Sequence, residues 1–530
     1  MVIKCSALKL TPRPTKRNSM YRLLSLLLLN CLLISCAVNP VTGKNELSFV
    51  SDAQELSIGS EQYLPSQQSQ GGIYLVDPGL TRYVDQVGQR IANVSDRQLP
   101  YEFVVLNNSQ PNAWALPGGK IAVNRGLLLE LDNEAELAAV LSHEVVHAAA
   151  KHGAKSMQRG LILQGVLLAT TIGASNSDYG NYIVGGAQLG AQLLTQRYGR
   201  TAELESDSYG IQYMAAAGYD PSAAITLQQT FVELSAGKDS SWLTGLFSSH
   251  PPSQERVDAN RASVSALSPL LRGDLELGRE RYQKQIAYLR QKQKAYSAFD
   301  KADTLKKNNE FGSALRHLDR AVEEEPGEAR FYGLRADIHL EKEQYRPANI
   351  YYNRALELDP KYFAYYLGRG LSMARLGQAE NAKRDLERSN ELLPTAIAMN
   401  ELGQLSLAEG DTTGAKNYFQ SAMNAGGETG AAARDAFTRL DLPDNPAHYI
   451  EVAPFLSKGR LAATLTNRTG LTIARLDVTF AANANGENIQ RSVSLGPLGA
   501  GQSIQASSGF RFSETDTVTN LRVVVTGAML

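Results

Sequence analysis

Residues Asn133 to Lys151 read NEAELAAVLSHEVVHAAAK, and within them stands His143-Glu144-Val145-Val146-His147. Ala, Leu and Glu favour a helix through this stretch, and Asn133-x-x-Glu136 is a capping signal for its start. On a helix turning 100° per residue, histidines four apart differ by only about 40° around the axis, so both can close on one metal ion. Glu144, between them, can reach a water at that metal. Zinc lowers the pKa of such a water towards about 7, and a carboxylate can take its proton as it attacks a peptide carbonyl. The pattern predicts metal-assisted hydrolysis. With 7 histidines in 530 residues, chance supplies it in a chain of this composition roughly half a per cent of the time. His152, nine residues beyond His143, is expected to point about 180° away on the same helix and to be structural.

A catalytic zinc wants a third protein ligand and an open fourth position. Downstream, in Arg200-Thr201-Ala202-Glu203-Leu204-Glu205-Ser206-Asp207, Glu203 and Asp207 share a helix face at i and i+4. Glu205 is the rival ligand, but two residues from Asp207 it faces elsewhere. H-E-x-x-H followed about 60 residues later by E-x-x-x-D resembles the HtpX- and BepA-like zinc metalloendopeptidases of peptidase family M48. The resemblance implies one zinc per chain held by His143, His147 and Glu203, with Glu144 as general base and Asp207 as a partner behind the ligands or a proton donor. Gly199 and Ser206 stand where the family often has Ser and Ala.

The same resemblance extends upstream through Asn39-Pro40-Val41-Thr42-Gly43 and through Asn112-Ala113-Trp114-Ala115-Leu116-Pro117-Gly118-Gly119, which precedes a strand-like KIAVNRG, and covers roughly residues 39 to 265. In the family that strand borders the active site, so an extended substrate could pair with it, with Asn112, Ala113, Leu116, Pro117 and Gly118 as the substrate-strand residues. A structural turn with a buried Trp is the alternative reading of this motif. Ser249 to Arg256, SHPPSQER, resembles the family's His-Pro segment, so His250 is a candidate regulatory fourth ligand in a latent state. Between Gly160 and Gln196 the one charge is Asp178. This apolar, Gly-containing stretch is expected to form a lid over the cleft rather than to contact the membrane.

At the N-terminus a basic segment without acids runs into an apolar core, Leu23 to Ile34, too short to cross a bilayer and read as a signal-peptide core. It closes with Leu33-Ile34-Ser35-Cys36, which resembles the bacterial lipobox. The implication is cleavage before Cys36 and lipidation of that cysteine. Ala37, where the inner-membrane retention signal would place Asp, points to the outer membrane with the body in the periplasm. Cys5, Cys31 and Cys36 are the three cysteines, so the body from Ala37 onward has no disulfide. The whole chain has 53 basic and 54 acidic residues, and the part after Cys36 has 47 and 54, a net charge of -7. A mildly acidic body without basic runs argues against nucleic acid as a partner.

Beyond about residue 270 the chain becomes Lys, Arg, Glu and Gln-rich and helical. Pro326, Pro360 and Pro394 stand 34 residues apart, each 12 residues after an alanine (Ala314, Ala348, Ala382). This period resembles the tetratricopeptide repeat: three good units and a degraded fourth (Gly403, Ala415, Phe419, Ala422), whose stacking makes a concave surface for a peptide or partner. From about 450, alternating runs such as LAATLTN and IARLDVTF between Gly/Asn-rich turns read as a small β-sandwich.

The expected molecule is therefore multidomain. Residues 1–36 are a lipoprotein signal, 37–265 a mainly helical α+β zincin-type metalloprotease domain, 266–295 a helical connector, 296–440 an all-α tetratricopeptide solenoid, and 441–530 a β-sandwich. The expected function is zinc-dependent cleavage of unfolded or misassembled envelope proteins at the periplasmic face of the outer membrane, with the repeats recruiting substrate or the outer-membrane assembly machinery. The competing reading is a chaperone or assembly scaffold with a latent zinc site.

Overall fold

The computed structural model describes residues 36–47, 50–164, 183–194, 197–236, 249–271, 273–513 and 515–530. The expected signal segment before Cys36, and residues 165–182 and 195–196 of the expected lid, with Asp178, lie outside the described residues. The chain opens with an antiparallel hairpin of β1 (Cys36–Val38) and β2 (Asn45–Leu47). Asn39 makes its turn, accepting from Val41 N at 3.0 Å and Thr42 N at 3.3 Å. Two helices follow, α1 (Asp52–Ser69), started by a Ser51/Gln54 capping box, and α2 (Pro78–Ala92), capped by Asp77.

A three-stranded sheet comes next: β3 (Glu102–Leu106), β4 (Ala113–Leu116) and β5 (Lys120–Asn124), in the order β3-β5-β4. β5 runs parallel to β3 and antiparallel to β4, and all five of its residues are buried. The KIAVN strand was expected to receive a substrate strand, but both of its edges are already paired. β4, which carries Ala113 and Leu116, is instead an edge strand of this sheet.

After the short α3 (Arg125–Leu128), α4 (Glu134–Ala149) is buried along its whole length, and the Asn133 side chain accepts from Glu136 N at 2.9 Å as the sequence predicts. The helix stops there. Lys151 takes a left-handed φ of 61°, and α5 (His152–Gln164) begins in a new direction. The 100° arithmetic therefore does not carry past Ala150, and His152 returns to the site instead of pointing away from it.

The rest of this half is α6 (Ala187–Leu194), α7 (Arg200–Ala216), α8 (Ala223–Ala236) and α9 (Gln254–Leu267). α7 crosses α4 closely at Gly210, where a Cβ would come within 3.2 Å of Ser142 Oγ and 3.4 Å of His143 N. That approach sets Glu203 and Asp207 against the histidines of α4.

Short helices α10 (Arg279–Gln285) and α11 (Ala287–Gln291) lead into helix pairs: α12 (Gln293–Lys307) with α13 (Phe311–Glu324), α14 (Ala329–Glu341) with α15 (Tyr345–Leu358), α16 (Phe363–Arg375) with α17 (Ala379–Leu392), and α18 (Ala396–Ala408) with α19 (Thr412–Ala422). α20 (Gly427–Asp441) caps the stack. Pro326, Pro360 and Pro394 sit in the turns between pairs, so a 34-residue period places these turns along one edge of the solenoid. The protease half docks on that edge. Asn107 Nδ2 donates to both carboxylate oxygens of Glu328 at 3.0 Å, Gln68 bonds Lys361 O at 2.9 Å and Phe363 N at 2.8 Å, and Val184 N bonds Pro394 O at 3.1 Å. One apolar core runs from Val41 through α4 and the Tyr282–Ile338 helices without a break.

The C-terminal strands β6 (Ile450–Ser457), β7 (Arg460–Asn467), β8 (Arg475–Ala484), β9 (Glu487–Leu495), β10 (Ser503–Arg511) and β11 (Val518–Met529) form two antiparallel sheets, β10-β7-β6 and β11-β8-β9. Leu461, Leu465, Val478, Phe480, Ala506 and Val525 fill one core with residues from both, the expected small β-sandwich. Among the described residues, no helix is long and apolar enough to cross a membrane.

Candidate metal centre

His143, His147, Glu203 and His250 are all buried, and one ligand atom from each lies within 4.8 Å of the others. Nε2 of His143 is 3.0 Å from Nε2 of His147 and 3.6 Å from Glu203 Oε2, while His147 Nε2 is 3.5 Å from Glu203 Oε1. Four ligands at the roughly 2.0–2.2 Å bond lengths of zinc sit about 3.3–3.6 Å apart at the corners of a tetrahedron. The donor set and its spacing therefore fit one zinc ion. His250 Nδ1 lies 3.1 Å from Glu203 Oε1 and 3.3 Å from His143 Nε2, so the His-Pro segment does bring its histidine to the fourth corner.

Glu144 lies beside this cluster. Its Oε1 is 3.7 Å from His250 Nε2, and its Oε2 is buried without a hydrogen-bond partner. Burial raises its pKa above the usual carboxylate range, partly offset by His250 and His143. Such a carboxylate is suited to accept and return a proton. A cavity of about 50 Å³ opens next to His143 and Glu144, floored by Val140, Ile211, Met214, Leu227 and Phe231.

Asp207 does not reach towards the cluster's centre. Its Oδ1 is 2.9 Å from His143 Nδ1, behind the ligand. Arg256 grips it with Nε on Oδ2 and Nη2 on Oδ1, both at 2.7 Å, and places Nη1 2.9 Å from Glu203 Oε2. Burial would raise the pKa of Asp207, but Arg256 and His143 outweigh it and hold the carboxyl below its usual range. Glu203 is likewise held well below, as His250, His143 and His147 overcome its burial. Burial also opposes charge on His143, yet Asp207 and Glu203 push its pKa up to about 10, whereas burial takes that of His147 well below its usual value.

Of the substrate-strand residues, Asn112 leads into β4, Ala113 and Leu116 are buried in it, and Pro117 and Gly118 turn it into β5. β4 packs against α4. Arg256 stood in the His-Pro motif without an assigned role, and its charge between two acids of α7 was the signal available. Tyr198, whose ring centroid is 4.0 Å from that of His147, had none.

Fold and centre together define a metallopeptidase domain joined to a helical repeat array. Residues 78–264 match the profile of Peptidase family M48, and residues 329–362 match a tetratricopeptide repeat. The chain thus carries a peptidase family M48 domain followed by tetratricopeptide repeats. It is 30% identical over 236 residues to the Beta-barrel assembly-enhancing protease of Yersinia pestis, covering 43% of this chain and 48% of that protein. To the protein of the same name in Escherichia coli (strain K12) it is 26% identical over 328 residues, covering 57% and 66%. To the Metalloprotease LoiP of the same strain it is 29% identical over 224 residues, covering 41% and 83%. The chain spans between about half and two thirds of the length of the first two relatives.

Proposed function

We propose that this chain is a zinc endopeptidase of the bacterial envelope that cleaves unfolded or misassembled outer-membrane proteins, tethered through lipid on Cys36 at the periplasmic face of the outer membrane. The observation that carries the chemistry is Glu144, a buried carboxylate with one unpartnered oxygen beside a His143–His147–Glu203 donor set. Bound zinc would polarise the scissile carbonyl and acidify a water. Glu144 takes the proton of the attacking water and returns it to the leaving amine. Asp207 and Arg256 hold His143 and Glu203 in place. The 50 Å³ cavity has room for about three to five water-sized groups at roughly 10–15 Å³ each, so it suits a Val or Leu side chain flanking the cut.

The names of the relatives support a role in β-barrel assembly. A larger cavity of about 720 Å³ lies between α12, α14 and α16 and the loops at Gly71 and Asn107–Gln110. It combines Asp303 and Asp337 with Lys306 and Arg330, a surface suited to the recruited polypeptide or an assembly partner.

His250 at the fourth corner supports a latent state that substrate must open. It also favours the second reading, a scaffold whose closed four-ligand site does no chemistry. Casein cleavage by residues 37–530, compared among wild type, Glu144→Gln and chelator-treated wild type, tests the proposal. Loss of activity in both treated samples, with Val and Leu enriched beside the cuts mapped by mass spectrometry, supports the protease. A zinc-loaded wild type and a His250→Ala variant that both leave casein intact would establish the scaffold.

A further inference from the structure

The two histidines of α4 are backed differently. His143 Nδ1 has the Asp207 carboxylate. His147 Nδ1 has instead Nδ1 of His152 at 3.0 Å, and Nε2 of His152 is 3.1 Å from Oε1 of Glu205. Asn39 Nδ2 donates to that same Glu205 oxygen at 3.5 Å and to both oxygens of Glu46 at 3.3 Å. Lys155 of α5 pairs with Glu46 from the other side.

The proton positions along this row follow from the donor set. His147 Nε2 faces His143 Nε2 and Glu203, so as a ligand it carries no proton, and its one N–H is at Nδ1. That N–H needs an acceptor, and His152 Nδ1 can serve only as a bare nitrogen. The proton of His152 is then on Nε2, aimed at Glu205. Ser206 Oγ, 3.4 Å from His152 Nδ1, can donate to the same bare nitrogen, and the row is sheltered: the side chains of His152 and Glu205 are 5% and 14% exposed. Buried polar groups of this kind are retained where they are paired.

We propose that His152 and Glu205 are positioning residues for His147, holding its Nε2 on the metal through a carboxylate–histidine–histidine chain whose far end is fixed by Asn39 of the β1–β2 hairpin. Val41 of the same hairpin is buried in the main core, so the chain is anchored at its end. Residues 36–47 become part of the metal centre although none of them touches the metal. Through Cys36 that centre is joined to the segment where the lipobox resemblance places the lipid. The inference rests on the metallopeptidase reading, because it concerns the ligand role of His147.

The test measures zinc affinity of residues 37–530 by competition with a chromophoric chelator, and the ligand-field absorption of the cobalt-substituted protein. Removing an outer hydrogen-bond partner of a metal ligand typically costs 10- to 100-fold in metal affinity. His152→Leu and Glu205→Leu should fall in that range with shifted cobalt bands, and Asn39→Ala should weaken binding less. His152→Asn sets an amide oxygen near the place of Nδ1, and Glu205→Gln still accepts from Nε2–H, so both should retain most of the affinity. Wild-type affinity and an unchanged cobalt spectrum in both Leu variants would overturn the chain while leaving the metal site standing. Failure of the wild type to bind zinc would overturn both readings. If His152→Leu loses its cooperative melt, the contrast between Glu205→Leu and Glu205→Gln decides.

Discussion

Arg256 faces two carboxylates at once, with its fork on Asp207 and its remaining nitrogen on Glu203; Arg256 and Glu203 are buried and the Asp207 side chain is 9% exposed. In the metal-free chain it therefore offsets charges that zinc would partly take over. Arg256→Met should destabilise the metal-free protein by roughly 3–5 kcal/mol, the usual result of stranding a buried charge, and the zinc-loaded protein by less. Melting temperatures with and without chelator check this, and equal losses in both forms would contradict it. His143 supplies a pH dependence of known sign. Its folded pKa of about 10 lies above the roughly 6.5 of an unfolded histidine. Its contribution to metal-free stability is then complete below about pH 6.5 and lost as pH rises through about 10, while zinc must displace the proton and so binds more tightly across that window. Calorimetry at pH 7.5 in buffers of different ionisation enthalpy should find about one proton released per zinc bound; release of none would count against it. The paired histidines, His143 and His147, were legible because their spacing lies within one unbroken helix, and Glu203, on a second helix, was named through the family resemblance of its Glu203-x-x-x-Asp207 pattern. His152 was misread because its direction depends on the left-handed Lys151, and a lysine carries no obvious signal for that backbone.

At the scale of elements, repeats were legible because proline and alanine recur with the period, whereas strand pairing was not. KIAVN reads as a strand from its residues, but its place in the middle of the sheet is set by β3, which lies across a loop, and by the turn at Pro117–Gly119. The turns that dock the repeats carry their own titration. Asp359 ends α15 and accepts from Lys361 N at 2.9 Å, and burial pushes its pKa up to about 6. A raised folded pKa contributes stability present below about pH 4 and lost as pH rises through about 6, so at neutral pH the charge is a burden. Asp359→Asn keeps the accepting oxygen without the charge. It should raise the melting temperature by a few degrees at pH 7.5 and have little effect at pH 4, as followed by circular dichroism; a uniform shift at both values would point to packing instead.

At the scale of the molecule, the edge-on docking ties the two functions together. Glu328 is 1% exposed and serves both halves, accepting from Asn107 Nδ2 of the protease side, from Tyr296 OH at 2.9 Å and from its own helix start at Arg330 N. Arg125, fully desolvated beside it, gives Nε to Asn107 Oδ1 at 2.9 Å and stacks on Tyr296 at 3.5 Å. Together with the continuous core, this network predicts that the protease half and the first repeats unfold as one unit. None of it was legible in the sequence, because these residues lie up to about 220 positions apart and each alone reads as an ordinary surface polar group. Residues 37–441 should melt in a single calorimetric transition. Glu328→Leu leaves Asn107 Nδ2 and Tyr296 OH without their acceptor and removes the carboxylate near the buried Arg125, and should both lower the transition by several kcal/mol and separate the repeats from the protease half as a second peak. Two transitions already in the wild type would show that the halves are independent, and the metal centre would then have to act without the rigid support the repeats now give it.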